Sequence, residues 1–275
     1  MRRSCLRALL LTLICLSSTL LAQAQEGFRL GVAPHTSARV ILEMYQPLRQ
    51  HLEKSLGQTV DLQTAPDFTE FARRALNQDY DLVITTGHQA RLFQTQAQYL
   101  PLLTYQADFK AVALVPANSK LSKPADLRGS TVLGLSPTSL VTLWGQHWLK
   151  QNNLTDVTLR YVSAADSVSR QVLAGDAALA FTSLANYQKL PRDQQDALRI
   201  FAESEAMVGR VYLLNKRHKN LQAKMEATLA QFVESPAGKS YFEQNKLGGY
   251  RKLKARELEA MEPFSAETLR ELRAK

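Results

Sequence analysis

Cysteine is nearly missing from this chain of 275 residues, and the two it has, Cys5 and Cys15, both fall in its first 24 positions. Those positions read as an export leader. Arg2, Arg3 and Arg7 form a basic start, Ala8 to Leu21 an apolar run too short and wrongly flanked to span a bilayer, and Ala22-Gln23-Ala24 a small-x-small cleavage site. Cleavage after Ala24 is expected, with an uncleaved membrane anchor as the alternative. Leu13-Ile14 before Cys15 does not suit a lipoprotein site. Removing 24 of 275 residues leaves 251 with no cysteine, which excludes a disulfide framework and thiol chemistry. An exported, cysteine-free chain of that size must be stabilised by its own core and suits a bacterial periplasm.

Other absences narrow the function. No later apolar stretch is long enough to cross a membrane. No basic–aromatic run suggests nucleic acid. There is no Gly-x-Ser-x-Gly elbow, His-Glu-x-x-His or P-loop, and His35, His51, His88, His147 and His218 show no metal-ligand spacing. No enzyme activity, metal or cofactor is therefore expected, and His51 and His147 read as surface residues of helices. Three arginines leave with the leader, so 34 basic residues become 31 against 25 acidic ones, and the net charge falls from +9 to +6. That balance favours an anionic ligand or membrane face, or is simply a solvated basic surface.

What is present is a phrase stated twice. Leu76 to His88 and Leu173 to Ser183 each run from a helix end through an acidic turn into an apolar strand that ends in small hydroxyl residues. Such strands suit sheets buried on both faces, and ligands bind at the carboxyl ends of strands in open α/β sheets. The first half continues the pattern, with strands at Phe28–Val32, Thr59–Gln63 and Asp81–Ile84 around two helices. The second repeats it, with strands at Thr131–Leu135, Thr158–Val162 and Ala177–Phe181. Extended segments near 105–110 and 202–207 would cross between two α/β lobes, each a mainly parallel sheet flanked by helices, with the cleft between them. The expected organisation is a leader at 1–24, a first lobe at 25–106, a second at 107–204, and a return to the first lobe with C-terminal helices at 205–275. The C-terminal part, after the face Leu221, Met225, Leu229, Phe232 and Val233, reads as a polar, charged tail.

Candidate ligand contacts lie at the strand ends. Ser136, Thr138 and Ser139 precede a helix whose orphan N–H groups and positive dipole end could hold an oxyanion, although an N-cap is the plainer reading. Thr85, Thr86, Gly87 and His88 repeat that placement in the first lobe: Gly87 could admit a ligand to the backbone and His88 could donate a hydrogen bond, or be a surface histidine. His35 is similarly placed, or is an exposed loop residue. Thr182 and Ser183 are the second-lobe counterparts. Glu203 or Glu205, near the return crossover, could receive a ligand amine. Tyr45 and Trp144 follow the helical apolar period and read as core or cleft wall.

Several phrases, in order, resemble the periplasmic phosphate/phosphite/phosphonate-binding proteins of ABC transporters: Gly31-Val-Ala-Pro34, Tyr45-x-Pro47-Leu48, Leu56-Gly57-x-x-Val60, Phe68-x-x-Phe71, Asp79 to Val83, Leu121 to Gly129, Ser136-x-Thr138-Ser139 and Gly175 to Ala178. The resemblance implies a two-lobed type II periplasmic-binding-protein fold. It also implies a small anionic solute, lobe closure and delivery to an ABC-transporter permease, with a monomer expected. The alternative is a sensory binding protein signalling to a membrane histidine kinase, chemoreceptor or cyclase. The chain departs from the family at His88, where an aromatic is usual, and at Val162-Ser-Ala-Ala-Asp166, where a Gly-Ser-His phrase is usual.

Overall fold

The computed structural model describes residues 27–162 and 165–274, apart from the side chains of 165 and 166. The leader lies outside the described residues, as do Ser163, Ala164 and the side chains of Ala165 and Asp166 in the departing phrase.

The first three strands, β1 (Phe28–Val32), β2 (Val60–Gln63) and β3 (Leu82–Thr86), pair in parallel through β1. Between them run α1 (Ala38–Leu56) and α2 (Phe68–Leu76). Helix α1 buries Ile41, Tyr45, Leu48 and Leu52, the stripe its 3.6-residue period demands, and ends at Gly57 with φ 72°. Helix α2 begins where the Asp67 carboxylate accepts from the Thr69 and Glu70 N–H groups. After β3 come α3 (Gly87–Gln96) and β4 (Leu100–Tyr105).

The chain then enters a second sheet with β5 (Ala111–Pro116), β6 (Thr131–Gly134), α4 (Leu140–Gln151), β7 (Thr158–Tyr161), α5 (Ala165–Leu173) and β8 (Leu179–Ser183). Short helices α6 (Leu184–Gln188) and α7 (Arg192–Asp196) precede β9 (Leu198–Glu203). The return strand β10 (Arg210–Leu214) is followed by α8 (Gln222–Glu234), α9 (Pro236–Gln244), β11 (Tyr250–Arg251) and α10 (Glu262–Arg273).

The sheets are ordered β11-β4-β10-β3-β1-β2 and β7-β6-β8-β5-β9. The doubled phrase becomes β3 and β8, the interior strands whose five residues are all buried. Each has a parallel neighbour from its own β-α-β run (β1, β6) and an antiparallel one next to a crossover (β10, β5). The sheets are thus mixed: parallel cores completed by antiparallel strands. Between them, Phe109 and Met207 exchange backbone hydrogen bonds of 2.9 and 2.8 Å, so the two connections run side by side.

The expected polar tail is folded. Helix α10 packs on α3, with Arg91 Nε 2.6 Å from Glu262, and reaches the second sheet's helix α4, where His147 Nε2 lies 2.6 Å from Glu267 and its ring stacks on Phe264. Its buried positions include Ser265 and Thr268, which hydropathy scores as polar; the Thr268 hydroxyl is satisfied by the Phe264 carbonyl. His51 and His147 are likewise half-buried and partnered rather than surface residues, His51 through the Thr228 carbonyl.

Candidate functional site

Strand alternation sends Arg210, Tyr212 and Leu214 to one face of β10, and the last two are fully buried. The half-buried Arg210 side chain therefore reaches the mouth of a cluster of tyrosines. Its Nη1 donates to Tyr45 Oη at 3.0 Å and to His35 Nε2 at 2.7 Å, and the guanidinium lies over the Tyr105 ring, 5.6 Å from its centroid. His35 can accept because its Nδ1–H donates to the Ala33 carbonyl at 2.9 Å. Burial, and then the Arg210 charge, hold that imidazole well below its ordinary pKa, so it stays neutral.

Behind Arg210 the hydroxyls form a chain: Tyr105 to Tyr212 (2.8 Å) and Tyr241 (2.6 Å), and Tyr212 to Tyr250 (2.8 Å). Burial raises the pKa of Tyr105, Tyr212, Tyr241 and Tyr250, so these groups are neutral too. Among the described residues no carboxylate pairs with Arg210. A guanidinium has five N–H donors, and two are used here. The Nε–Nη2 edge keeps the fork geometry that matches an oxyanion.

Arg210 lines a cavity of about 160 Å³ between the sheets. His35, Thr86 and Arg210 line it from the first lobe, and Ser139, Ser183 and Lys189 from the second. Val40, Met44, Phe68, Leu135, Leu140 and Val141 supply apolar wall. Ser139 caps α4, leaving the Leu140 and Val141 N–H groups as the first, intrahelically unpaired donors of a twelve-residue helix. The positive end of α4 and the Arg210 guanidinium thus approach one cavity from opposite lobes. Lys189 adds a second cation, its pKa lowered by burial and then by the Arg210 field.

The sequence-derived candidates fall into three groups. Thr86, Ser139 and His35 line this cavity, His35 half-buried rather than in an exposed loop. Thr138 and His88 are fully buried at the junction of the lobes, so His88 is not a surface histidine. His88 Nε2–H donates to the Thr138 carbonyl at 2.9 Å, its Nδ1 accepts from the Thr86 hydroxyl at 3.1 Å, and Thr69 and Thr138 hydroxyls meet at 3.1 Å. Burial lowers the His88 pKa to about 4 against the opposing effect of the Thr138 hydrogen bond.

The third group stands apart. The Thr85 hydroxyl donates to Gln89 Oε1 at 2.7 Å. At Gly87 a Cβ would lie 2.1 Å from Val208 Cγ1, so glycine there is required by packing against the return crossover. Ser136 and Thr182 each have a buried hydroxyl with no partner among the described residues. Ser139 Oγ donates to Thr142 Oγ1 at 2.8 Å. Glu203 is paired with Lys110 at 2.5 Å on the outer edge strand. Tyr45 is core, and its hydroxyl serves Arg210; Trp144 stays half-buried, edge-on to Phe181.

Arg210 and Lys189 were not singled out by motif, since neither belongs to a family phrase. The signal for Arg210 was present all the same: a cation at the head of a strand whose same-face neighbours, Tyr212 and Leu214, are core residues.

Residues 30–258 match the family described as ABC transporter, phosphonate, periplasmic substrate-binding protein. No curated protein sequence matches the chain. Among solved structures it is similar to PhnD1 of Prochlorococcus marinus in complex with methylphosphonate, with TM-score 0.77 and 14% identity over 87% of this chain and 97% of that one. A Xanthomonas citri protein bound to ATP aligns with TM-score 0.73 and 17% identity over 90% and 98% of the two chains. A binding-protein component of an ABC phosphonate transporter from Pseudomonas aeruginosa gives 0.74 and 14% over 90% and 93%.

Proposed function

The chain belongs to the family of periplasmic phosphonate substrate-binding proteins of ABC transporters, and from that premise we propose that it captures a phosphonate-like oxyanion in the Arg210 cavity and presents it to a permease. The observation that carries this reading is a half-buried guanidinium whose hydrogen-bond acceptors are all neutral. A buried cation is ordinarily paired. Here His35 and Tyr45 fix its position without cancelling its charge, which leaves an anion from outside as the natural complement. The N-terminus of α4 supplies further donors from the facing lobe, so one anion would tie both lobes together, with the crossovers at 106–110 and 204–209 as the hinge and lobe boundary. Thr86, Ser139 and Lys189 are the remaining contacts of this site. Family membership favours transport over the sensory alternative.

A thermal-shift panel of phosphate, phosphite, alkylphosphonates, sulfonates and carboxylates beside neutral and cationic solutes tests the reading. A true ligand at a hundred times its dissociation constant stabilises the native state by about 2.7 kcal/mol. Stabilisation by a neutral or cationic solute and by none of the oxyanions would show the anion site to be wrong.

A further inference from the structure

The Arg210 cavity does not end at its anion subsite. A second cavity, of about 360 Å³, adjoins it and shares Thr36, Val40, Asn186 and Lys189 with it. Four hydroxyl-bearing residues line this extension, Thr36, Ser169, Thr182 and Tyr187, and two of them, Ser169 on α5 and Thr182 on β8, are deeply buried. Each of these two is only 3% exposed, and neither hydroxyl has a hydrogen-bond partner among the described residues. Thr182 belongs to a strand whose backbone is fully engaged with β5, so its side chain is held in place. Buried hydroxyls are nearly always paired, and two orphans lining one cavity next to a charged subsite point to a group that arrives with the ligand. The Arg170 side chain, also lining the cavity, biases that group toward oxygen acceptors and against a cation.

Resting on the anion reading above, we propose that the Ser169–Thr182 pair is a second polar subsite and that the solute is an elongated organic anion. Its oxyanion head sits at Arg210, and its substituent carries an oxygen acceptor, a hydroxyl or a carboxylate, that reaches Ser169 and Thr182. Size agrees with this. A cavity holds a water once about 10–15 Å³ is available to it, so about 360 Å³ beyond the head subsite is far more than a methyl group fills. An ω-amino substituent is disfavoured, because Lys189 borders both cavities and Arg170 the second.

The test is a titration series on the purified protein by calorimetry: methylphosphonate, then n-alkyl, ω-hydroxyalkyl, ω-carboxyalkyl and ω-aminoalkyl phosphonates with two to six carbons. At one chain length the hydroxyalkyl or carboxyalkyl member is expected to bind at least tenfold more tightly than the n-alkyl member of equal length, and the ω-amino member more weakly than either. Ser169→Ala and Thr182→Val are expected to bring that ratio close to one. If methylphosphonate binds but the ω-oxygen never improves on plain alkyl, the second subsite is wrong while the anion site stands. Loss of binding across the series, methylphosphonate included, would overturn both.

Discussion

At the scale of single residues, the protein keeps charge and neutrality in separate places. Asp81 shows how an ion is treated when it serves the fold. Burial would raise its carboxyl pKa, yet hydrogen bonds from the Arg29 N–H, from Arg217 and from His218 outweigh that and leave it lowered. Arg210 is treated in the opposite way, with no such partner among the described residues. His88 shows a third case, a buried imidazole kept neutral. Its pKa of about 4 lies below the ordinary value near 6.5, so between those values the unfolded chain takes up a proton that the native state refuses. The stability it allows is complete above about pH 6.5 and falls as pH drops toward 4, by on the order of 3 kcal/mol. Denaturant unfolding from pH 7 to 4 should show this loss, and His88→Gln should make the profile flatter; an unaltered profile would contradict the burial argument. Asp81 acts in a lower window. Its stabilisation is present above about pH 4 and is lost as pH falls through its lowered pKa, so Asp81→Asn should weaken the fold at pH 7 and make the acid-side decline below pH 4 shallower, the remainder coming from groups such as Glu257.

At the scale of elements, the strand ends and helix starts carry both the fold and the site. The turn from β3 into α3 is the tightest example. Gly87 is met by the Val208 side chain of the return crossover, so Gly87→Ala should overpack this junction and cost about 1–3 kcal/mol, read as a lower denaturation midpoint. Val208→Ala in the same chain should recover much of the loss; if it recovers none, the clash is not the cause. Much of this architecture was legible in the sequence. Alternation and helical periodicity placed β1 to β3 and β6 to β8 within a few residues, most plainly where a strand hides a continuous apolar run, as β3 and β8 do. Helix α10 was read as a polar tail because Ser265 and Thr268 occupy its buried face, where Thr268 satisfies its hydroxyl on the Phe264 carbonyl of the same helix. The site was legible by region and less so by residue. Ser139 and Thr86 were visible as strand-end hydroxyls, whereas Arg210 depends on a face shared with Tyr212 and on His35 and Tyr45, which are 175 and 165 residues away in sequence.

At the scale of the whole molecule, the lobes touch through Thr69 and His88 on Thr138, through Lys189 on Asn245, and through α10 on His147. Lys189 and Asn245 line the Arg210 cavity, so under the proposed reading an anion bound there would add to the contacts between the lobes. Ligand can shift such an equilibrium only by preferring one state, and contacts from both lobes supply that preference. Small-angle scattering should therefore give a smaller radius of gyration with saturating methylphosphonate than without it, and superimposable curves would argue against hinge closure on the ligand. The central claim, that one uncompensated guanidinium organises the cleft, is tested most directly by calorimetric titration of methylphosphonate into the unaltered protein and into Arg210→Met. Charge-assisted hydrogen bonds contribute about 1.5–3 kcal/mol each, and 1.4 kcal/mol is tenfold in affinity. The account predicts that the unaltered protein binds and that the variant binds about a hundredfold more weakly. Equal affinity of the two proteins, or no binding by the unaltered one, would contradict it.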